Sequence, residues 1–196
     1  MSRLQLLRPD QLSGAQQQVY DGITGGRRSE ATAAGSLTKP DGGLVGPFNA
    51  FLYSPEVGLR VQALGEALRF SNSLPDQLLE IAVLMTAFEW KAQFEWWAHE
   101  RLARRAGLDE EIIAALKAGR RPAFDDDKAA AVYDFSREML DTKRVRDETY
   151  KRTVELLSEQ QVVDLISLLG YYSLVAMTLN AFDVPVPDGE DLPFDE

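Results

Sequence analysis

Cysteine is absent from all 196 residues. That single absence removes thiolate nucleophiles, disulfide exchange and sulfur-ligated metals. Histidine is almost as scarce, because His99 is the only one, so a centre built on two imidazoles is excluded as well. Basic residues are the minority, 21 against 31 acidic ones, and the net charge of -10 repels phosphate backbones and anionic membrane surfaces. Neither nucleic acid nor a membrane is an expected partner. Residues 1–9 hold too short an apolar stretch for a signal peptide and no cleavage-like site, so a cytoplasmic protein is expected. Long apolar runs are scarce too. The one spanning residues 162–182 is interrupted by Asp164, Tyr171, Tyr172, Thr178 and Asn180 and lacks flanking basic anchors. It is predicted to be a buried or oligomer-facing helix rather than a membrane span. No strand alternation of convincing length and no internal repeat is present.

What is there reads as helix throughout. Apolar residues make up 45% and charged residues 27%, an ordinary globular balance, and the length suits one domain covering residues 1–196. Three-to-four spacing of Leu12, Ala15, Val19 and Ile23 predicts a helix over residues 9–23, ended by Gly25 and Gly26. Residues 24–46 are small and turn-forming and predict a long loop of the kind that covers or lines a site. Ser54 followed by Pro55 predicts an N-cap and a helix to residue 70. A further helix opens at residues 73–76 and carries Leu78, Leu79, Ile81, Ala82, Val83, Leu84 and Met85 almost without a polar break, which places it at the centre. The next is predicted to reach residue 106 and stop at Gly107. Shorter ones are expected over 109–118, 126–142 and 147–157, and a last one over 159–182. An extended acidic tail, residues 183–196, should follow, and it and Asp125, Asp126 and Asp127 read as solvated surface.

On a helical wheel, Ala92, Glu95, Trp96, His99, Leu102, Ala103 and Ala106 share one stripe, and Arg101, Arg104 and Arg105 lie opposite. His99 is therefore predicted to face inward. Glu95 precedes it by four residues, where a carboxylate can fix the imidazole tautomer. Glu80 sits on an otherwise apolar helix, and a carboxylate so placed needs a partner or must stay protonated. Two carboxyl groups and an imidazole in an apolar setting can shuttle protons. They can equally form a structural hydrogen-bonded network in a non-catalytic protein. Trp90, Trp96 and Trp97 at helical spacing fit either core or pocket wall. The Glu95 and His99 spacing offers a metal only two ligands, so no metal is expected. A substrate carboxylate would want a cation, for which Arg60, Arg69 and Arg121 are the candidates.

Three stretches carry a resemblance. Leu79 to Leu84, Gln93 to His99, and Arg105 to Ile112 hold a glutamate, a helix-borne histidine nineteen residues later, and an Ala-Gly-Leu turn before a short helix. This pattern resembles the core of the carboxymuconolactone decarboxylase and alkylhydroperoxidase D-like family. Gly46-Pro47-Phe48 and Ser54-Pro55-Glu56 are similar to the family's segment leading into that core, and Gly170-Tyr171-Tyr172 to its last helix. The resemblance implies an all-α helical bundle assembled as a homo-oligomer, a trimer or hexamer. In the hydroperoxidase branch a Cys-x-x-Cys pair precedes the histidine. Here Ala92 and Glu95 stand at those positions, which excludes peroxide reduction by a cysteine relay. What remains is the acid/base half of the site, closer to the lactone decarboxylase branch. The resemblance thus implies a cofactor-free lyase or isomerase acting on a small carboxylated lactone or related enolisable acid. His99 would be proton donor or shuttle, Glu95 its orienting partner and Glu80 a buried proton relay, with Trp96 and Tyr171 touching substrate. The alternative is a non-catalytic oligomeric ligand-binding or scaffold protein on the same fold.

Overall fold

A computed structural model describes residues 2–29 and 37–195. Its α-helices are α1 Gly14–Thr24, α2 Phe48–Leu52, α3 Pro55–Phe70, α4 Asp76–Glu89, α5 Gln93–Arg105, α6 Glu110–Lys117, α7 Asp127–Thr142, α8 Asp147–Leu156 and α9 Glu159–Ala181. Among the described residues there is no strand, only an isolated bridge between Thr38 and Leu44. The all-α expectation holds.

The apolar sequence of α4 dictates its place. Every residue from Leu78 to Ala87 is buried, and the helix packs against α5, α6, α7 and α9. A helix without a polar face has no stable position at a surface. A second, smaller cluster of Val19, Ile23, Leu44, Phe51 and Leu52 ties α1 and α2 to α3, and Val61 on α3 packs against both clusters.

The turn between α4 and α5 matters most for the site. Trp90 ends α4, Lys91 adopts the left-handed conformation at φ 49°, and the Ala92 amide donates to the Ala87 carbonyl at 2.9 Å. The helices therefore run back along each other. Glu80 lies ten residues before Trp90 and His99 nine after it. At 1.5 Å per residue both stand roughly 14–15 Å from the turn, so the hairpin brings them level. At the far end of α5, Gly107 takes φ +81° and lets the chain reverse into α6.

Several sequence expectations are corrected in detail. The first helix begins at Gly14, capped reciprocally by Ser13 and Gln16, and residues 9–11 form a separate single turn. The Ser-x-x-Gln capping signature was the signal for it. Ser54 makes no side-chain cap. Its carbonyl accepts from the Gly58 amide instead, while Pro55 does open α3. Residues 48–52, for which no helix is predicted, form α2. Part of the expected loop over 24–46 is a helical turn at Arg27–Ser29, and residues 30–36 of it lie outside the described residues.

The acidic tail is not simply solvated. Phe194 is buried against Phe88 and Trp96, its backbone is held at both N and O by the Gln93 side chain, and Glu190 pairs with Arg101 at 2.6 Å. Helix α9 is long and apolar enough to cross a membrane by length and composition, yet half of its most apolar stretch is buried against the rest of the chain. Asp164, one of the residues that interrupts that stretch, accepts from both the amide and the hydroxyl of Ser73 and pins α9 to the start of α4.

Candidate functional site

Glu80 is completely buried, with 0% exposure. One carboxylate oxygen forms an ion pair with Nη1 of Arg69 from α3, and the other lies 2.8 Å from Nδ1 of His99 from α5. A buried carboxylate costs several kcal/mol unless its charge and lone pairs are satisfied, and here two helices supply the partners. His99, 9% exposed, is further fixed by an edge contact with the Tyr172 ring of α9 at 4.8 Å. With Nδ1 engaged, Nε2 is the ring nitrogen without a hydrogen-bond partner among the described residues.

The orienting role expected of Glu95 therefore belongs to Glu80. On one helix, residues four apart lie a turn from each other, but the hairpin offers His99 a carboxylate from across the interface, and that geometry wins. Glu95 is left in a different state. It is 2% exposed, and neither carboxyl oxygen has a partner among the described residues. Burial alone pushes its pKa well above the ordinary glutamate value of 4.5, which favours the neutral acid.

Glu95 and His99 line one cavity of about 150 Å³. Arg69 and Tyr172 share its wall with them, Tyr171 adds a second phenol, and Phe48, Phe94 and Val175 make much of the remainder apolar. Glu80 sits behind this wall and reaches the space only through His99 and Arg69. Burial pushes both phenols above their ordinary value, Tyr172 the more strongly, so both remain hydroxyls at neutral pH.

Other sequence candidates lie elsewhere. Trp96 is sealed in the core against Phe194 and does not line the cavity. Neither do Trp90, which is partly exposed, and Trp97, which packs under Arg101 and beside Val186. Of the three arginines considered, Arg60 pairs with Glu56 on the surface and Arg121 with Asp134, and only Arg69 is at the site. Sequence reasoning missed Arg28, which also lines the cavity from the short helical turn Arg27–Ser29. It lies in a segment without periodicity, so only its charge beside small, turn-forming residues could have drawn attention to it.

No family model and no curated protein matches the chain. Solved structures do. The debrominase Bmp8 without ligand superposes with a TM-score of 0.70 at 10% identity, covering 93% of this chain and 91% of that one. A cysteine-to-alanine variant of Bmp8 in complex with 2,3,4-tribromopyrrole gives 0.72 at 11% identity, covering 96% and 95%. An Agrobacterium tumefaciens protein of unknown function, named as a candidate antioxidant defence protein AhpD, gives 0.64 at 18% identity, covering 71% and 96%. The fold is the alkylhydroperoxidase D-like helical fold.

Two outcomes follow from the contrast between the glutamates. Glu80→Ala strands the Arg69 cation and should cost about 3–5 kcal/mol in urea unfolding, whereas Arg60→Ala in the exposed pair should change little. Equal costs would contradict the ion-pair account. For Glu95 the folded chain holds its proton more tightly than the unfolded chain, so the native state binds more protons above pH 4.5. Stability must then fall as pH rises from that value through the folded pKa. Between about pH 5 and about pH 8 the melting temperature of Glu95→Gln should drop less than that of the unaltered protein, and equal slopes would mean that Glu95 is ionised in the fold.

Proposed function

We propose that this chain is a cysteine-free acid/base enzyme of the alkylhydroperoxidase D-like fold, a lyase or isomerase acting on a small enolisable acid. The observation that carries the reading is the partnerless carboxyl of Glu95 facing the same small cavity as a histidine whose other nitrogen is held. An acid that keeps its proton at neutral pH and an imidazole fixed in one orientation are the two groups that proton transfer to and from carbon requires. Decarboxylation breaks the bond to the departing carbon dioxide and leaves its electron pair as an enolate. The Glu95 carboxyl then supplies the proton that forms the new carbon–hydrogen bond. An Nε2–H of His99 donates to the developing enolate oxygen while its Nδ1–H donates to Glu80, and the Glu95 carboxylate left behind regains its proton from solvent water before the next turnover.

Related solved structures support a one-ring occupant, since a debrominase of this fold is known with a tribrominated pyrrole. With no cysteine in the sequence, chemistry that needs a protein thiol is closed to this chain. The second reading, ligand binding without turnover, draws support from the mutually paired Arg69, Glu80 and His99 network, which is self-sufficient as structure. The open cavity and the partnerless Glu95 weigh for the enzyme.

A screen of unsaturated lactones and β-keto acids, read by carbon dioxide release, tests the proposal. On a substrate found there, Glu95→Gln and His99→Ala should each lose about 10²–10⁴-fold in turnover. Unchanged turnover in both would sink the assignment.

We also propose that a second copy of the chain covers α9. Val163, Ile166, Leu174 and Met177 form an exposed apolar stripe along it, Val163 at 64% and Met177 at 48% exposure, and Gly170 leaves open space in its middle. Self-association hides such a stripe. Light scattering at micromolar concentration should give a mass above the 21.9 kDa of one chain, and Val163→Glu with Met177→Glu should return it to that value. A monomer before substitution would rule the interface out.

A further inference from the structure

We propose that the cavity is selective for one-ring monoanions and that Arg28 receives their carboxylate. This rests on reading the cavity as a substrate site, and it adds the charge and size of what enters.

The argument is a count of charges around the cavity. Arg69 is neutralised by Glu80. Arg28 forms no ion pair among the described residues. Its partners are uncharged: Nη1 donates to the side-chain carbonyl of Gln62 at 3.3 Å, and the guanidinium lies over the Phe48 ring, 5.5 Å from its centre. The Tyr171 hydroxyl also interacts with it. These contacts aim the guanidinium without cancelling its charge. A planar five-donor fork held this way suits a carboxylate.

The backbone of α3 makes room for this arrangement. A Cβ at Gly65 would lie 2.0 Å from the Tyr171 hydroxyl oxygen and 2.6 Å from Nη2 of Arg28. Only a bare backbone lets the guanidinium and the phenol sit side by side at the wall.

Among the described residues a second negative charge has no counterpart. It would have to displace Glu80 from Arg69 or stand beside Glu95, whose neutral buried carboxyl offers a single O–H and no positive charge. Size sets the other limit, because an apolar cavity of about 150 Å³ accommodates a molecule of benzene's size. One ring with one carboxylate fits both limits, and a ring with two carboxylates fits neither.

The test uses the full-length protein and three ligands of one shape, furan-2-carboxylate, furan-2-carboxamide and furan-2,5-dicarboxylate, titrated by calorimetry at fixed ionic strength. The monocarboxylate should bind at least about tenfold more tightly than the amide and the dicarboxylate, the difference one charge-assisted hydrogen bond supplies. Arg28→Met should erase the preference for acid over amide, and Arg28→Lys should restore part of it. Equal binding of acid and amide, equal binding of the dicarboxylate, no heat with any of the three, or an unaltered preference in a folded Arg28→Met protein would each overturn the proposal. The three-ligand comparison stands even if the variants do not fold. Binding is read without turnover, so a failure of the acid/base chemistry with monoanion selectivity intact, or the reverse, identifies which of the two readings is wrong.

Discussion

The buried carboxylate of Glu80 is the constraint around which the site is arranged. A charge at zero exposure in the middle of an apolar helix is tolerable only when opposite charge and hydrogen bonds surround it. Arg69 reaches it from α3 and His99 from α5, so three helices are locked at one level by one side chain. The same lock sets which histidine nitrogen is occupied and which arginine has its charge compensated, and these two facts define the chemistry available on the cavity side.

Two glutamates fifteen residues apart show how environment divides labour. Glu80 has partners on both oxygens and stands behind the wall. Glu95 has none and stands in it. Desolvation acts on both, but only at Glu95 is it unopposed, and a proton is the remaining way to relieve the cost. A neutral acid beside an oriented imidazole is the combination on which the proposed proton chemistry depends, and it arises without a thiol.

The chain outside the central bundle finishes the site rather than decorating it. Arg28, Leu37 and Val45 come from the region before α2, and they line the cavity together with side chains of α5 and α9. The tail works from the opposite flank. Phe194 and the Gln93 clamp brace the first turn of α5, the helix that carries both Glu95 and His99. Positional precision at α5 therefore draws on residues more than ninety positions apart in sequence.

The helices were legible in the sequence because periodicity, proline at N1 and glycine at C′ are local signals, and α3 through α9 begin and end close to where those signals stand. The inward face of α5 was legible for the same reason, since three-to-four spacing puts Glu95 and His99 on one stripe. The absence of cysteine, a property of the sequence alone, fixed which chemistry the site cannot perform. Partnership was another matter. That Glu80 rather than Glu95 holds His99 depends on the Lys91 turn and the antiparallel return of α5, and that Arg28 rather than Arg60 or Arg121 joins Arg69 at the cavity depends on how the N-terminal region folds over α3. Side-chain pairing across helices is decided by distances that no linear spacing encodes, so tertiary structure alone could choose among the carboxylates and the cations.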